Sequence, residues 1–244
     1  MINVSKFKKL PLAELGLALL ALLFLFPGPY HTVPELDASW QVVLEEAFFN
    51  QWQFGKDFIF TGGPLSFLYA PTSIGYFPKL QVLAEASVLF SAILSIFFAV
   101  RRQPLWVHIL VFVCLFCGAN SSKDGIYLIA ITAISFRLLN SPGHVKTLIL
   151  PVIFIAILSL MKFTLAILGA SCLAIVCCHK LWGKKYKEGL QIFGTYLVSV
   201  MAIWIAIGQS LWNLPAFVKH SWSLSQGYAA GMHLQEPVYF LKYL

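Results

Sequence analysis

Charge is the scarcest property of this chain. Charged residues make up 11% of its 244 positions, against roughly 25% in an average soluble domain. Acid is scarcer than base, with ten Asp and Glu against seventeen Lys and Arg. Apolar residues fill 59%, more than a soluble globule of this size can hide, because a small globule is mostly surface. That excludes an ordinary soluble domain and leaves a bilayer as the medium that covers the excess.

Other absences narrow the reading further. No basic stripe with interleaved aromatics occurs, so the net charge of +7 does not point to nucleic acid. Lys and Arg cluster instead in short loops between apolar runs, as the positive-inside rule expects. Cys114 and Cys117 are spaced as a metal-binding pair, but no second pair follows, and zinc takes four protein ligands or three plus water. All five cysteines lie inside apolar runs and read as small packing residues. No small-x-small cleavage site follows the apolar run at residues 15–26. Pro27-Gly28-Pro29-Tyr30 comes next, which predicts an uncleaved first helix. There is no internal repeat and no low-complexity stretch.

Long apolar runs are what the chain does have. Seven segments are read, at residues 10–29, 80–100, 104–119, 125–139, 147–160, 163–178 and 189–209. As one helix, residues 147–178 would run about 48 Å, too long for a hydrocarbon core of about 30 Å. A break near Lys162 makes it a hairpin of two short helices. Charge supports the break. With the N-terminus inside, the inside loops hold Lys6, Lys8, Lys9, Arg101, Arg102, Arg137, Lys146, Lys180, Lys184, Lys185 and Lys187. The outside holds Lys56, Lys79, Lys123, Lys162, Lys219 and Lys242. Merging the hairpin would send the lysine cluster at 180–187 outside, against the rule. The expected architecture is therefore an all-α membrane protein of about seven transmembrane helices over residues 1–209, with an outside tail from 210 to 244. The expected location is a bacterial inner membrane, with the N-terminus cytoplasmic.

The first outside loop, residues 30–79, is too long for an idle connector. It holds five of the acids, Glu35, Asp37, Glu45, Glu46 and Asp57. Trp40, Val43, Leu44, Ala47, Phe48 and Gln51 recur at helical spacing, which predicts an amphipathic helix along the membrane surface. Glu45, Glu46, Asn50 and Gln53 are expected on its other face. Asp37 sits at the start of that helix, as an N-cap or as a functional carboxylate held at the surface. Gly62-Gly63-Pro64 marks a tight turn with positive φ available, serving as a plain turn or as a backbone lip at the mouth of a site. The Gly-Lys-Ser/Thr ending of a phosphate-binding loop is missing.

Asp37, the helix of residues 40–48, Gly55-Lys56-Asp57 and Gly63-Pro64-Leu65 together resemble the first outside loop of membrane glycosyltransferases with the C-type fold. In that family an Asp soon after the first helix precedes an amphipathic helix and a Gly/Pro-rich turn back to the second helix. The resemblance covers most of the chain as architecture and about thirty residues as motif. It departs from the family where Ala38 follows Asp37, since many members carry an adjacent acidic pair. Members are also longer, and the chain closes at Tyr243-Leu244 as another apolar run begins. The expectation is an N-terminal module, with a partner subunit if the enzyme is split.

The resemblance implies transfer of a sugar from a polyprenyl-phosphate carrier to an acceptor on the non-cytoplasmic face. Asp37 is then the candidate catalytic base or orienting carboxylate. Lys162 interrupts an apolar run and is the candidate for the donor phosphate, whose leaving charge needs a cation or a divalent metal. Asp57, Lys123 and Tyr228 are further candidates for substrate contact. Lys123 and Asp124 also read as a solvated turn, and Gly227-Tyr228 as an acceptor-side loop. His220 and His233 have no spacing that demands a metal. The other readings are a non-catalytic component that binds a lipid carrier or partner subunit, and a transporter. The transporter is disfavoured by the few intramembrane charges and the lack of duplication.

Overall fold

A computed structural model describes residues 36–70, 74–100, 103–121, 123–140 and 145–232. The first apolar segment at 10–29 lies outside them. The described residues form helices joined by short links, except for the long loop between the first two, with no strand among them beyond two isolated bridges. The helices are α1 (Leu36–Phe49), α2 (Pro78–Val100), α3 (Leu105–Ser121), α4 (Lys123–Leu139), α5 (Val145–Ser159), α6 (Phe163–Trp182), α7 (Tyr186–Ala206) and α8 (Leu214–Met232).

Helices α2 to α7 sit where apolar runs were expected, and three of them, α2, α6 and α7, are long and apolar enough to cross a membrane. The 17 residues of α3 give about 26 Å at 1.5 Å per residue, short of a hydrocarbon core of about 30 Å. Helix α5 is shorter still, with Pro151 inside it. The described part of the tail after residue 210 is helical, because α8 continues to Met232.

Helix α4 is the centre of the bundle. It packs on α2, α3 and α6, while α7 closes the other side against α5 and α6. Its Ala130 and Ile131 are fully buried, and Ile134 and Leu138 join a second cluster with Leu148, Val152, Leu173 and Ile192. Two of the cysteines pack as expected, Cys172 against the first cluster and Cys177 against the second, and three do not. Cys114, Cys117 and Cys178 are exposed on helix surfaces, where a small apolar side chain suits a hydrocarbon neighbour.

The break in the long apolar run falls at residues 160–162, as length and charge predicted. Its cause lies elsewhere in the chain. Lys162 is extended, with φ −148° and ψ 137°, and pairs antiparallel with Gly62 of the first loop. The Gly63 and Leu65 amides donate to the Met161 and Leu160 carbonyls at 3.2 and 3.0 Å, and the Phe163 amide donates to Thr61 O at 2.9 Å. Carbonyls left over at the end of α5 thus find partners in the loop.

The same loop is tied to the α7–α8 junction by two glutamines. Gln53 donates to Gly208 O at 3.0 Å and accepts from the Ser210 amide at 2.8 Å and from Asn213 at 3.1 Å. Gln209 donates to Trp52 O at 3.0 Å and accepts from the Phe54 amide at 2.9 Å. The loop therefore lies across one end of the bundle and joins connections far apart in sequence.

Helix α1 differs from its sequence pattern in rotation. Leu44 and Ala47 are buried as expected, but Val43 is exposed and Glu45 is completely buried. Phe48 packs at 4.2 Å on Phe67 and at 5.5 Å on Phe77, so its aromatic face meets the protein's own loop rather than a membrane surface. Glu45 accepts the Ile74 and Phe77 amides at 2.7 and 2.9 Å, capping the start of α2 just ahead of Pro78. A buried carboxylate served by backbone N–H groups outweighs the helical pattern that assigned it to water.

The glycines of the turn are needed for close approach. Neither Gly62 nor Gly63 has positive φ among the described residues. A Cβ on Gly63 would lie 2.3 Å from Leu160 O. Gly63→Ala is expected to destabilise the fold by about 1–3 kcal/mol through overpacking. Gly194→Ala, with nothing within 4 Å of its Cβ, should be neutral or stabilising by up to about 1 kcal/mol. Thermal unfolding in one detergent compares the two, and equal melting temperatures would remove the role assigned to Gly63.

Candidate functional site

Packing of α4 on α6 and docking of the loop bring three distant segments to one place. Tyr69 follows the short 3-10 turn at Ser66–Leu68, Asp124 lies in the first turn of α4, and Lys162 caps α6. Lys162 Nζ lies 2.9 and 2.8 Å from the two Asp124 oxygens and 3.3 Å from Tyr69 OH. Tyr69 OH donates to Asp124 Oδ1 at 2.5 Å. The ammonium also sits 4.8 Å from the Tyr69 ring centroid, a cation–π contact.

An ammonium has three N–H donors, and here two carboxylate oxygens and a phenol take them. The cluster is closed on itself and near neutral. It is still open to solvent, since the Lys162 and Asp124 side chains are 27% and 38% exposed. At this exposure the ion pair contributes no more than about 1 kcal/mol. Its interest is therefore chemical rather than structural: an anion can reach Lys162 by exchanging one existing contact. Tyr127 packs edge-on to Tyr69 at 5.1 Å, and its buried hydroxyl has no hydrogen-bond partner among the described residues. The buried Ser66 hydroxyl, three residues before Tyr69, is in the same condition.

Burial pushes the Tyr69 phenol well above its ordinary value of 10, and the hydrogen bond to Asp124 and that carboxylate's charge push it further. Tyr69 therefore remains a proton donor throughout the physiological range.

The expected site residues fare differently. Lys162 is at the centre of the cluster and is held there rather than merely reaching for solvent. Asp124 is its partner, so the reading of that turn as only solvated is too weak. Lys123 is the first residue of α4, and its side chain lies outside the described residues. Asp37 falls inside the first turn of α1, not ahead of it. Its side chain and the residues before Leu36 are outside those described. Trp40, one turn further on, packs tilted at 5.5 Å on Phe60, next to the Thr61 that pairs with α6. The Asp37 turn and Lys162 thus flank one extended segment.

Asp57 is exposed and accepts the Gln53 amide at 3.1 Å, so it closes a local turn. Tyr228 lies in α8 rather than in a loop, and its side chain is outside the described residues. Among the described residues no three His, Cys, Asp or Glu side chains gather as metal ligands. His220 has a buried Nδ1 without a partner there, and His233 is not described. Tyr69 was missed by the sequence reading. It stands 55 residues from Asp124 and 93 from Lys162, and its only sequence signal is a tyrosine just after the Gly-Gly-Pro turn. No family model, curated protein or solved structure matches the chain.

The raised Tyr69 pKa makes the folded state hold a proton that the unfolded state loses near pH 10. Its stabilising contribution is whole below pH 10 and fades as pH rises above it. Ultraviolet titration of the phenols should show one late-ionising group vanish in Tyr69→Phe. Asp124→Asn should move that group back toward 10 without reaching it, because burial, the larger cause, remains. An unchanged titration in both variants would dissolve the proposed cluster.

Proposed function

We propose that this chain is the N-terminal module of a membrane glycosyltransferase that takes a sugar from a polyprenyl-phosphate carrier at the non-cytoplasmic face. One observation carries the reading. The first long loop folds across one end of an apolar helical bundle, where the Lys162, Asp124 and Tyr69 cluster and the Asp37-bearing turn lie at that same end. A lipid-linked donor needs this arrangement, because its tail must stay in hydrocarbon while its phosphate and sugar meet polar groups at the boundary.

In this reading seven helices span a bacterial inner membrane with the N-terminus cytoplasmic. The donor phosphate exchanges with Asp124 for Lys162, and Tyr69 remains as a neutral donor beside it. Asp37 orients the acceptor hydroxyl or takes its proton. The carrier tail has a route as well. An apolar groove lies between α2, α3 and α4, lined by Ile96, Val111, Leu128, Thr132 and Phe136. Leu128 is one helical turn from Asp124 on the same ridge of α4.

The saturation of Lys162 by its own partners favours a second reading, a non-catalytic component that binds a lipid phosphate without turnover. Both are tested with purified protein in lipid and a panel of polyprenyl-phosphate sugars, wild type beside Asp37→Asn and Lys162→Met. The transferase reading expects turnover in wild type, loss in Asp37→Asn, and a raised KM for donor in Lys162→Met. Donor binding without turnover in wild type, weakened only by Lys162→Met, would establish the second reading. Equal donor binding by all three proteins would exclude both assignments of Lys162.

A further inference from the structure

The face expected to rest on the membrane, that of α1, is turned into the protein. Another element is left to do that work. Helix α8 follows α7 after a short link through Leu211–Asn213, so it starts at the boundary where a membrane-crossing helix ends. It has 19 residues, long enough to cross, yet it is too polar to be one of the three candidate spans. It does not drift free. Phe217 is buried against Trp204 at 5.5 Å, and Ser221, also buried, donates to Phe60 O at 3.1 Å. The loop backbone at Gly55 presses so closely on Phe217 that a Cβ there would lie 2.5 Å from its amide nitrogen.

Those contacts set the rotation of α8, and two flanks remain. At 100° per residue, Pro215, Val218 and Trp222 fall on one flank, and Lys219, Ser223 and Gln226 fall beside it on the next. All six are exposed. Trp212, in the link just before the helix, is 91% exposed, and Trp222 and Val218 are about half exposed. No acid occurs anywhere from Leu211 to Met232. Water would penalise so much exposed tryptophan, whereas the headgroup boundary of a bilayer is where tryptophan concentrates.

We propose that α8 is an interfacial helix lying on a phospholipid surface. Its Trp212, Val218 and Trp222 flank sits at the acyl boundary, and Lys219 lies level with the lipid phosphates. The acid-free polar flank complements that negative layer, and the helix begins at the level fixed by the end of α7. This rests on the membrane setting of α2, α6 and α7 and is independent of any transferase activity. The Gln53 and Gln209 contacts tie the link before α8 to the first loop, and Ser221 ties α8 itself, so the Lys162 cluster stands at the same headgroup level.

The test is nitroxide labelling of the full chain in phospholipid vesicles, with the five native cysteines replaced. Labels are placed singly at Val218→Cys and Ser223→Cys. Collision with oxygen, which concentrates in hydrocarbon, is compared with collision with a water-soluble nickel chelate. The proposal expects the label at 218 to favour oxygen several-fold more than the label at 223. Equal preference for the chelate would place α8 in water, and equal preference for oxygen would place it across the bilayer. Protection of position 218 from both would mean that a protein segment covers the flank. Each of these three outcomes overturns the proposal. Should the labelled variants not fold, wild-type protein is treated with a lipid-soluble photoactivated carbene reagent and mapped by mass spectrometry. Modification at Val218 or Trp222 but not at Ser223 or Gln226 is expected, and none between 212 and 227 overturns the assignment.

Discussion

Backbone pairing between the first loop and the broken helix ends is the constraint on which the rest of the structure depends. Amide and carbonyl groups beside an apolar bundle must find partners, because each one left unpaired and buried costs about 1–3 kcal/mol. The loop at residues 50–65 has too little regular structure to satisfy itself. The end of α5 and the turn after α7 carry carbonyls with no helical partner. Each supplies what the other lacks. Leu160, Met161 and Gly208 accept, while Gly63, Leu65 and the Gln53 amide donate. Small residues are required where backbones meet, which explains Gly63 and, at Gly55, adds to the demand of its φ of 88°.

The polar cluster follows from that docking. Lys162 stands at a break in an apolar run, where a lone ammonium would be costly. It is tolerated because the loop delivers Tyr69 and the start of α4 delivers Asp124. Remove the docking and Tyr69 leaves the pair, whereas Lys162 and Asp124 stay on helices α6 and α4 that pack directly on each other. Glu45 shows the same logic at the start of α2, with a carboxylate buried where backbone amides converge. In both places the protein gives a charge fixed partners, fully shut from solvent at Glu45 and still partly open to it at Lys162.

Docking also links levels in space. Gln53 and Gln209 join the loop to the α7–α8 turn, and Ser221 joins α8 to Phe60. The exposed tryptophans near that turn and the Lys162 cluster therefore belong to one hydrogen-bonded end of the bundle. Chemistry at the boundary of a lipid phase needs this, because a site whose height varied would meet headgroups at one moment and tails at the next.

Much of the helical framework was legible beforehand. Apolar runs located α2 to α7, and the hairpin at Lys162 followed from length and the distribution of lysine. Helix α1 was legible as a helix but not in its rotation. Its pattern could not weigh Glu45, whose partners Ile74 and Phe77 come from the far end of the loop. Lys162 was legible as an anomaly, a cation inside an apolar run. Its partners Tyr69 and Asp124 were not, because pairs 93 and 38 residues apart leave no periodic trace.

Sequence by itself determined the apolar, helical character of this protein and where most of its helices start and stop. Burial of an apolar run is nearly additive along the chain, so each segment announces its own preference. Tertiary structure alone decided which face of α1 is buried, why the chain breaks at residues 160–162, and which groups surround Lys162. Those outcomes depend on which helix ends share one boundary. A hydrogen bond or ion pair forms only between groups brought within about 3 Å, and the order of residues along the chain does not encode that distance.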